Sequence, residues 1–191
     1  MGEIRNMNSL VIDTATTRTS CGLVIDGALK YSGFHDGATE HAEALPKLVA
    51  AALQVTDQID EVIVGMGPGP FTGLRVGITF AQTFATARDI PWIGVCSLDG
   101  ISVTETEYLV ATDARRNEIY WARYKSGKRI AGPNVGSINE IPENSEEKYG
   151  FGFTESLFPE PLKLFQIARL ENFTEPIYLR RPDAQPTNER R

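Results

Sequence analysis

The stretch GMGPGPFTGLRVG, residues 65–77, follows the apolar run EVIV (61–64) and opens a long segment with few helix breakers. Glycine and proline at this density mark a loop that either holds something or turns the chain sharply. A phosphate is the obvious occupant, because a glycine-rich strand-to-helix turn brings backbone N–H groups close to an anion. The residues argue against a nucleotide motif. No Gly-Lys-Ser/Thr is present, the spacing misses Gly-x-Gly-x-x-Gly, and no acidic residue is placed to read a ribose. The other reading is conformational. Glycines accommodate positive φ, Pro68 and Pro70 stiffen the exit from the strand, and Thr72 suits the N-cap of the helix that follows.

That helix, Thr72–Arg88, is apolar on more than one side. Projected at about 100° per residue, Leu74, Ile78, Ala81 and Ala85 form one stripe, with Val76, Gly77, Phe80, Phe84 and Ala87 as a second beside it. The apolar arc covers about 200°, whereas packing on one sheet needs little more than about 100°. A second helix is expected over Thr39–Leu53, with Leu45, Leu48, Val49 and Ala52 along one face and several alanines elsewhere. Pro46 lies near enough its start to be tolerated, or else trims or kinks the first turn. Two arrangements accommodate the surplus. The helices pack on each other and on the sheet, or their outer faces also meet a partner.

The strands place these helices. Leu10–Asp13, 21–25 and Ala28–Phe34 read as strands, the last two joined by Asp26-Gly27, a hairpin signal. Glu61–Gly65 and Trp92–Val95 follow. The first hundred residues thus read β-β-β-α-β-α plus a short strand, which gives a mixed sheet. The pattern restarts with strands at Tyr108–Thr112, Glu118–Tyr124 and Arg129–Val135, and a helix at Pro161–Arg169. An aspartate ends the first strand of each copy, Asp13 and Asp113, which points to an internal duplication. This unit is similar to the actin-like (Hsp70/hexokinase/RNase H-like) ATPase fold, an α/β class with two lobes. The expected lobes are 1–100, carrying the two helices, and 101–191, shortened. In that superfamily the two aspartate loops hold Mg²⁺ and ATP phosphates, with glycine following the aspartate. Here the loops read Asp13-Thr14-Ala15-Thr16-Thr17 and Asp113-Ala114-Arg115-Arg116-Asn117. Neither has the glycine, and both read as degenerate nucleotide loops.

Composition excludes several classes. The 191 residues suffice for a real core, and no apolar stretch approaches membrane-spanning length. Met7 is an alternative start to Met1. Cys21 and Cys96 sit far apart in apolar segments and read as free buried thiols, from which a cytoplasmic address follows. Net charge is −6, against nucleic-acid binding by the whole surface. Residues 1–100 carry 6 basic and 11 acidic side chains, while 101–191 carry 13 and 14. Basic clusters at Arg115–Arg116, Lys125–Arg129 and Arg180–Arg181 read as solvated surface before RNA contacts. The histidines, His35 and His41, form no His-Glu-x-x-His pair, and Glu40 and Glu43 beside His41 read as surface residues rather than metal ligands. No Gly-x-Ser-x-Gly nucleophile occurs.

Five segments in order resemble one family: DTAT (13–16), GPGPFTGLRVG (67–77), PWIGVCSLD (91–99), DARRNEIY (113–120) and PIYLRRPDA (176–184). The chain is similar to the bacterial TsaB (YeaZ) family, although serine is usual there in place of Pro70. The resemblance implies a scaffold subunit for forming N6-threonylcarbamoyladenosine (t6A) at position 37 of tRNAs that read ANN codons. It implies a paralogue of the catalytic subunit TsaD, required by it alongside the ATPase TsaE, with tRNA met only through the complex. It implies no catalytic residue, no metal and no intrinsic cofactor, leaving at most a weakly held nucleotide at the interface of the assembly. The interface carried over is the helical pair, with His41, Leu45, Leu48, Val49, Ala52, Leu74, Gly77, Ile78, Phe80, Ala81, Phe84 and Ala85 as its candidate residues. Through the same surface the family forms homodimers in isolation. The rival from another class is a stand-alone ATP-dependent enzyme or metalloprotease.

Overall fold

Two tight turns of the same kind organise the chain. Asp26-Gly27 (φ 51° and 78°) and Ser126-Gly127 (φ 49° and 73°) both place two successive residues in the left-handed region. That is the geometry of a two-residue hairpin turn whose twist matches the strands it joins. The computed structural model describes residues 7–141 and 146–180. Met1, Arg181 and residues 182–184 of the last family segment lie outside the described residues.

Around the first turn stand β1 (Asn8–Asp13), β2 (Arg18–Ile25) and β3 (Ala28–Asp36); then come α1 (His41–Ala52), β4 (Glu61–Gly65), α2 (Phe71–Arg88) and β5 (Trp92–Val95). The sheet order is β3-β2-β1-β4-β5, antiparallel through the hairpins and parallel from β1 to β4 to β5. Around the second turn stand β6 (Glu107–Asp113), β7 (Glu118–Lys125) and β8 (Lys128–Ser137), with β9 (Glu147–Gly150) parallel to β6 in the order β8-β7-β6-β9. Strand for strand, β6, β7, β8 and β9 repeat β1, β2, β3 and β4. This is the actin-like fold. The reduction of the second copy is local: where α1 joins β3 to β4, the described part of the β8–β9 connection holds only a 3-10 turn, Ile138–Glu140.

Sequence alternation explains the layers. Leu10 and Ile12 of β1 face Leu45 and Val49 of α1 and Leu74, Ile78, Ala81 and Ala85 of α2. Val11, between them, faces the other way with Val24 and Ile63, and packs with Leu164 and Phe165 of α3 (Pro161–Ile167). Both faces of the sheet are therefore covered, which is why these strands read as unbroken apolar runs. A division at residue 100 separates the two sheets, but α3 comes from the second half of the sequence and lies on the first sheet. Residues 172–178 do the same: Phe173 N–H donates to Gly94 O (2.8 Å) and Ile177 N–H to Met66 O (2.8 Å).

Several boundaries move. β2 starts at Arg18, three residues ahead of its apolar run, because edge pairing with β3 extends through Arg18, Thr19 and Ser20. α1 starts at His41 and runs through Pro46, which is exposed. β9 has no apolar run to announce it. α2 is capped by Pro70 (φ −58°, ψ 132°), and Thr72 lies inside the first turn with no capping hydrogen bond. Proline fixes the φ needed just ahead of the helix.

An ion pair between buried Glu61 and partly exposed Arg169 fastens α3. Glu61, 3 % exposed, accepts from Ser9 Oγ (2.5 Å) and receives both terminal nitrogens of Arg169, one at 3.1 Å to Oε2. Removing one partner leaves a buried charge uncompensated. Arg169→Ala is expected to lower unfolding free energy by about 3 kcal/mol in urea denaturation, with Glu61→Gln in the same background recovering part of the loss.

Candidate functional site

The two aspartate loops are built alike. Asp13 Oδ1 accepts the N–H of Ala15 (2.9 Å), and Asp113 Oδ1 accepts the N–H of Arg115 (2.7 Å), each two residues on. Their surroundings differ. Asp13 is 1 % exposed and its second oxygen accepts from Ser97 Oγ (2.6 Å), which itself accepts the Gly67 N–H (3.2 Å). Burial pushes the Asp13 carboxyl up to about 6, against the lowering effect of the Ser97 and Ala15 hydrogen bonds. Gly65 faces this carboxylate so closely that a methyl group there would overlap it. Asp13 thus ties together the ends of β1, β4 and β5.

The glycine-rich turn fills the space beside that loop. A Cβ on Gly69 would overlap the Ala15 backbone, one on Gly73 would stand 2.7 Å from Thr14 O, and one on Gly77 would overlap Thr14 Oγ1. Thr14 Oγ1 donates to Gly73 O (2.8 Å) and accepts from Gly77 N–H (3.2 Å). From the second lobe, Tyr120 Oη reaches Gly69 O (3.4 Å). These glycines let backbone lie against backbone. The opening left between the lobes is a cavity of about 80 Å³ lined by Thr16, Thr17, Thr112, Asp113, Phe151 and the 156–158 segment. A hollow of about 240 Å³ lies across that segment. Ligand sites for cofactor-sized molecules occupy about 300–1,000 Å³, and each of these two openings is smaller than that.

The two histidines and the glutamates beside His41 are engaged within the chain. His41 is buried, its Nδ1 2.7 Å from Thr19 Oγ1, and burial lowers its pKa with the charge of His35 adding to the effect. Glu40 pairs with His35 (2.6 Å) and Glu43 with Lys47 (2.8 Å). Cys21 and Cys96 are free and buried, and burial pushes both thiols up to about 12. Among the described residues no group of three or more His, Cys, Asp or Glu is arranged to hold a metal ion.

The helical pair sorts its residues by burial. His41, Leu45, Val49, Ala52, Leu74, Gly77, Ile78, Ala81 and Ala85 are inside the chain's own core. Within the single chain these side chains pack inward and fix how the two helices sit. Leu48, Phe80 and Phe84 are half-buried. The outward side of α2 holds an open trough of about 690 Å³ lined by Phe71, Thr72, Arg75, Val76, Thr79, Phe80, Thr83, Phe84 and Ala87. Phe80 and Phe84 stack at 6.0 Å, with Arg88 over Phe84 at 4.6 Å. Val76, Phe80, Phe84 and Ala87 had been visible as the second stripe. Phe71 had not, because it stood in the loop motif ahead of the expected cap. Ser97 was missed because spacing carries no sign of side-chain pairing across 84 residues.

The family described as "TsaD: tRNA N6-adenosine threonylcarbamoyltransferase" matches residues 35–178. The chain belongs to that family. An uncharacterised protein of Mycobacterium leprae is 41 % identical, covering 93 % of this chain and 56 % of its own length. The tRNA threonylcarbamoyladenosine biosynthesis protein TsaB of Escherichia coli is 37 % identical over 62 % of this chain and 55 % of that protein. The chain thus spans just over half the length of both relatives. Among solved structures, a Pseudomonas aeruginosa protein with similarity to peptidase YEAZ superposes with a TM-score of 0.79 at 24 % identity, covering 91 % of this chain and all of that one. That likeness is one of fold.

The elevated Asp13 pKa has a definite sign. Its folded value of about 6 lies above the ordinary 3.8, so the stability from holding the proton is present below about pH 4 and is lost as pH rises through 6. Asp13→Asn is therefore expected to gain on the parent between pH 4 and 7.5 by on the order of 2 kcal/mol. Guanidinium denaturation at both pH values measures this, and a gap that does not change with pH would remove the assignment.

Proposed function

We propose that the chain is a non-catalytic partner subunit in t6A formation at position 37 of tRNAs reading ANN codons. It docks on a TsaD-type transferase and works with a TsaE-type ATPase in the cytoplasm. The observation that carries this reading is the packing of the glycine-rich turn on Thr14 and Ala15. That packing puts the chain's own backbone against the first aspartate loop, which speaks against a kinase. Membership in the TsaD family and likeness to proteins named TsaB support the pathway. Among the described residues no helix is long and apolar enough to cross a membrane.

The docking element in this reading is the outer face of α2. Its trough is apolar and shallow, with Phe80 and Phe84 at its centre and Arg75 and Arg88 flanking, an arrangement suited to a partner helix. In isolation a second copy of the chain would use the same face. The candidates from the helical pair that remain for direct contact are Phe80, Phe84 and Leu48. Ala81 is a poor probe, since an arginine there would break the core.

Depletion of the protein followed by nucleoside analysis of bulk tRNA is expected to show loss of t6A; an unchanged t6A level overturns the reading. Phe80→Arg and Phe84→Arg are expected to keep the parent melting temperature within a few degrees while reducing co-purification of the transferase at least tenfold. The isolated chain is expected to show no saturable Mg-ATP binding by calorimetry, and stoichiometric binding would favour the kinase alternative.

A further inference from the structure

The turn after β6 carries three successive residues in the left-handed region, none of them glycine: Arg115 (φ 64°), Arg116 (φ 56°) and Asn117 (φ 60°). Asparagine tolerates this conformation, but arginine carries a steric penalty there. The two hairpin turns at 26–27 and 126–127 each use glycine at their second position. Here arginine is kept where glycine would sit without strain. The turn is held by the Asp113 carboxylate on the Arg115 N–H, by Ala114 N–H to Glu118 O (3.0 Å) and by Glu118 N–H to Arg115 O (3.1 Å). Arg180 adds a bond from Nη2 to Arg115 O (3.3 Å) and an ion pair with Glu118. Strain kept in place by such a frame is concentrated at functional sites.

We propose that this turn is a contact for the phosphodiester backbone of RNA. Residues 115–117 are all exposed, and 115–118 (Arg-Arg-Asn-Glu) offer no apolar side chain. A protein interface needs an apolar centre, whereas a nucleic-acid interface is polar and positive. Phe151, 39 % exposed, lines the same small cavity as Asp113, the residue that opens the turn. Exposed aromatic faces accept unstacked bases. The excess of acidic over basic side chains falls mainly in residues 1–100, and within the turn Arg115 Nη1 pairs with Asp113 (3.3 Å). The inference rests on the tRNA-modification reading and names which part of the chain meets the tRNA.

The test is fluorescence anisotropy of a labelled, unmodified tRNA transcript with the full chain, alone and mixed with its TsaD-type transferase, across a salt series. The double variant R115G/R116G is expected to melt no lower than the parent, because glycine relieves the strain. It is expected to bind tRNA more weakly, with the slope of log K against log salt reduced by about 2. R115K/R116K should keep most of that slope. Parental affinity and slope in R115G/R116G overturn the proposal. So does loss of transferase binding with tRNA affinity unchanged, which would make the turn a protein contact. If depletion removes t6A while these variants bind as the parent does, only this inference falls. If depletion leaves t6A intact, the pathway reading falls first.

Discussion

Backbone lying against backbone, at Gly69 on Ala15 and Gly73 on Thr14, is the constraint on which the rest of the structure depends. It brings the start of α2 onto the first aspartate loop with no side chain between them. Thr14 then satisfies two backbone groups of the helix, and Ser97 bridges Asp13 to Gly67. Any Cβ at these glycines pushes the helix off the loop. The direction of α2, and with it the side that faces outward, is therefore set by contacts at its first two turns.

The duplicated topology makes the two aspartate loops an internal comparison. Both keep the carboxylate-to-amide bond two residues on, a device that shapes the turn whatever the loop is for. Around that shared bond the copies diverge. The first became a buried knot with an elevated carboxyl pKa, and the second an exposed turn studded with arginine. The first is packed against the backbone of the glycine-rich turn, whereas the second holds its arginines out to solvent.

Much of the architecture was legible because the signals were local. Alternation in Leu10-Val11-Ile12, the Asp-Gly turn and the wide apolar arc of α2 each follow from periodicity within a few residues. What escaped depended on distance in sequence. Which stripe of α2 faces the sheet is decided by Thr14 docking on Gly73 and Gly77, about sixty residues away, so Leu74, Ile78 and Ala81 could not be told from Phe80 and Phe84 as outward residues. Ser97 and Arg169 have partners at Asp13 and Glu61, and single residues do not advertise such pairings. β9 was hidden because a half-exposed edge strand needs no apolar run.

The return of α3 to the first sheet carries a consequence for how the chain is made. Val11, Val24 and Ile63 are ready to form their sheet once β5 has been synthesised, yet the residues that cover them, Leu164 and Phe165, emerge some seventy positions later. The strap at Phe173 and Ile177, bonded to Gly94 and Met66, comes later still. A nascent chain therefore presents one naked apolar sheet face throughout translation of the second repeat, the condition under which aggregation competes with folding. Compact as the finished molecule is, its first lobe is completed last.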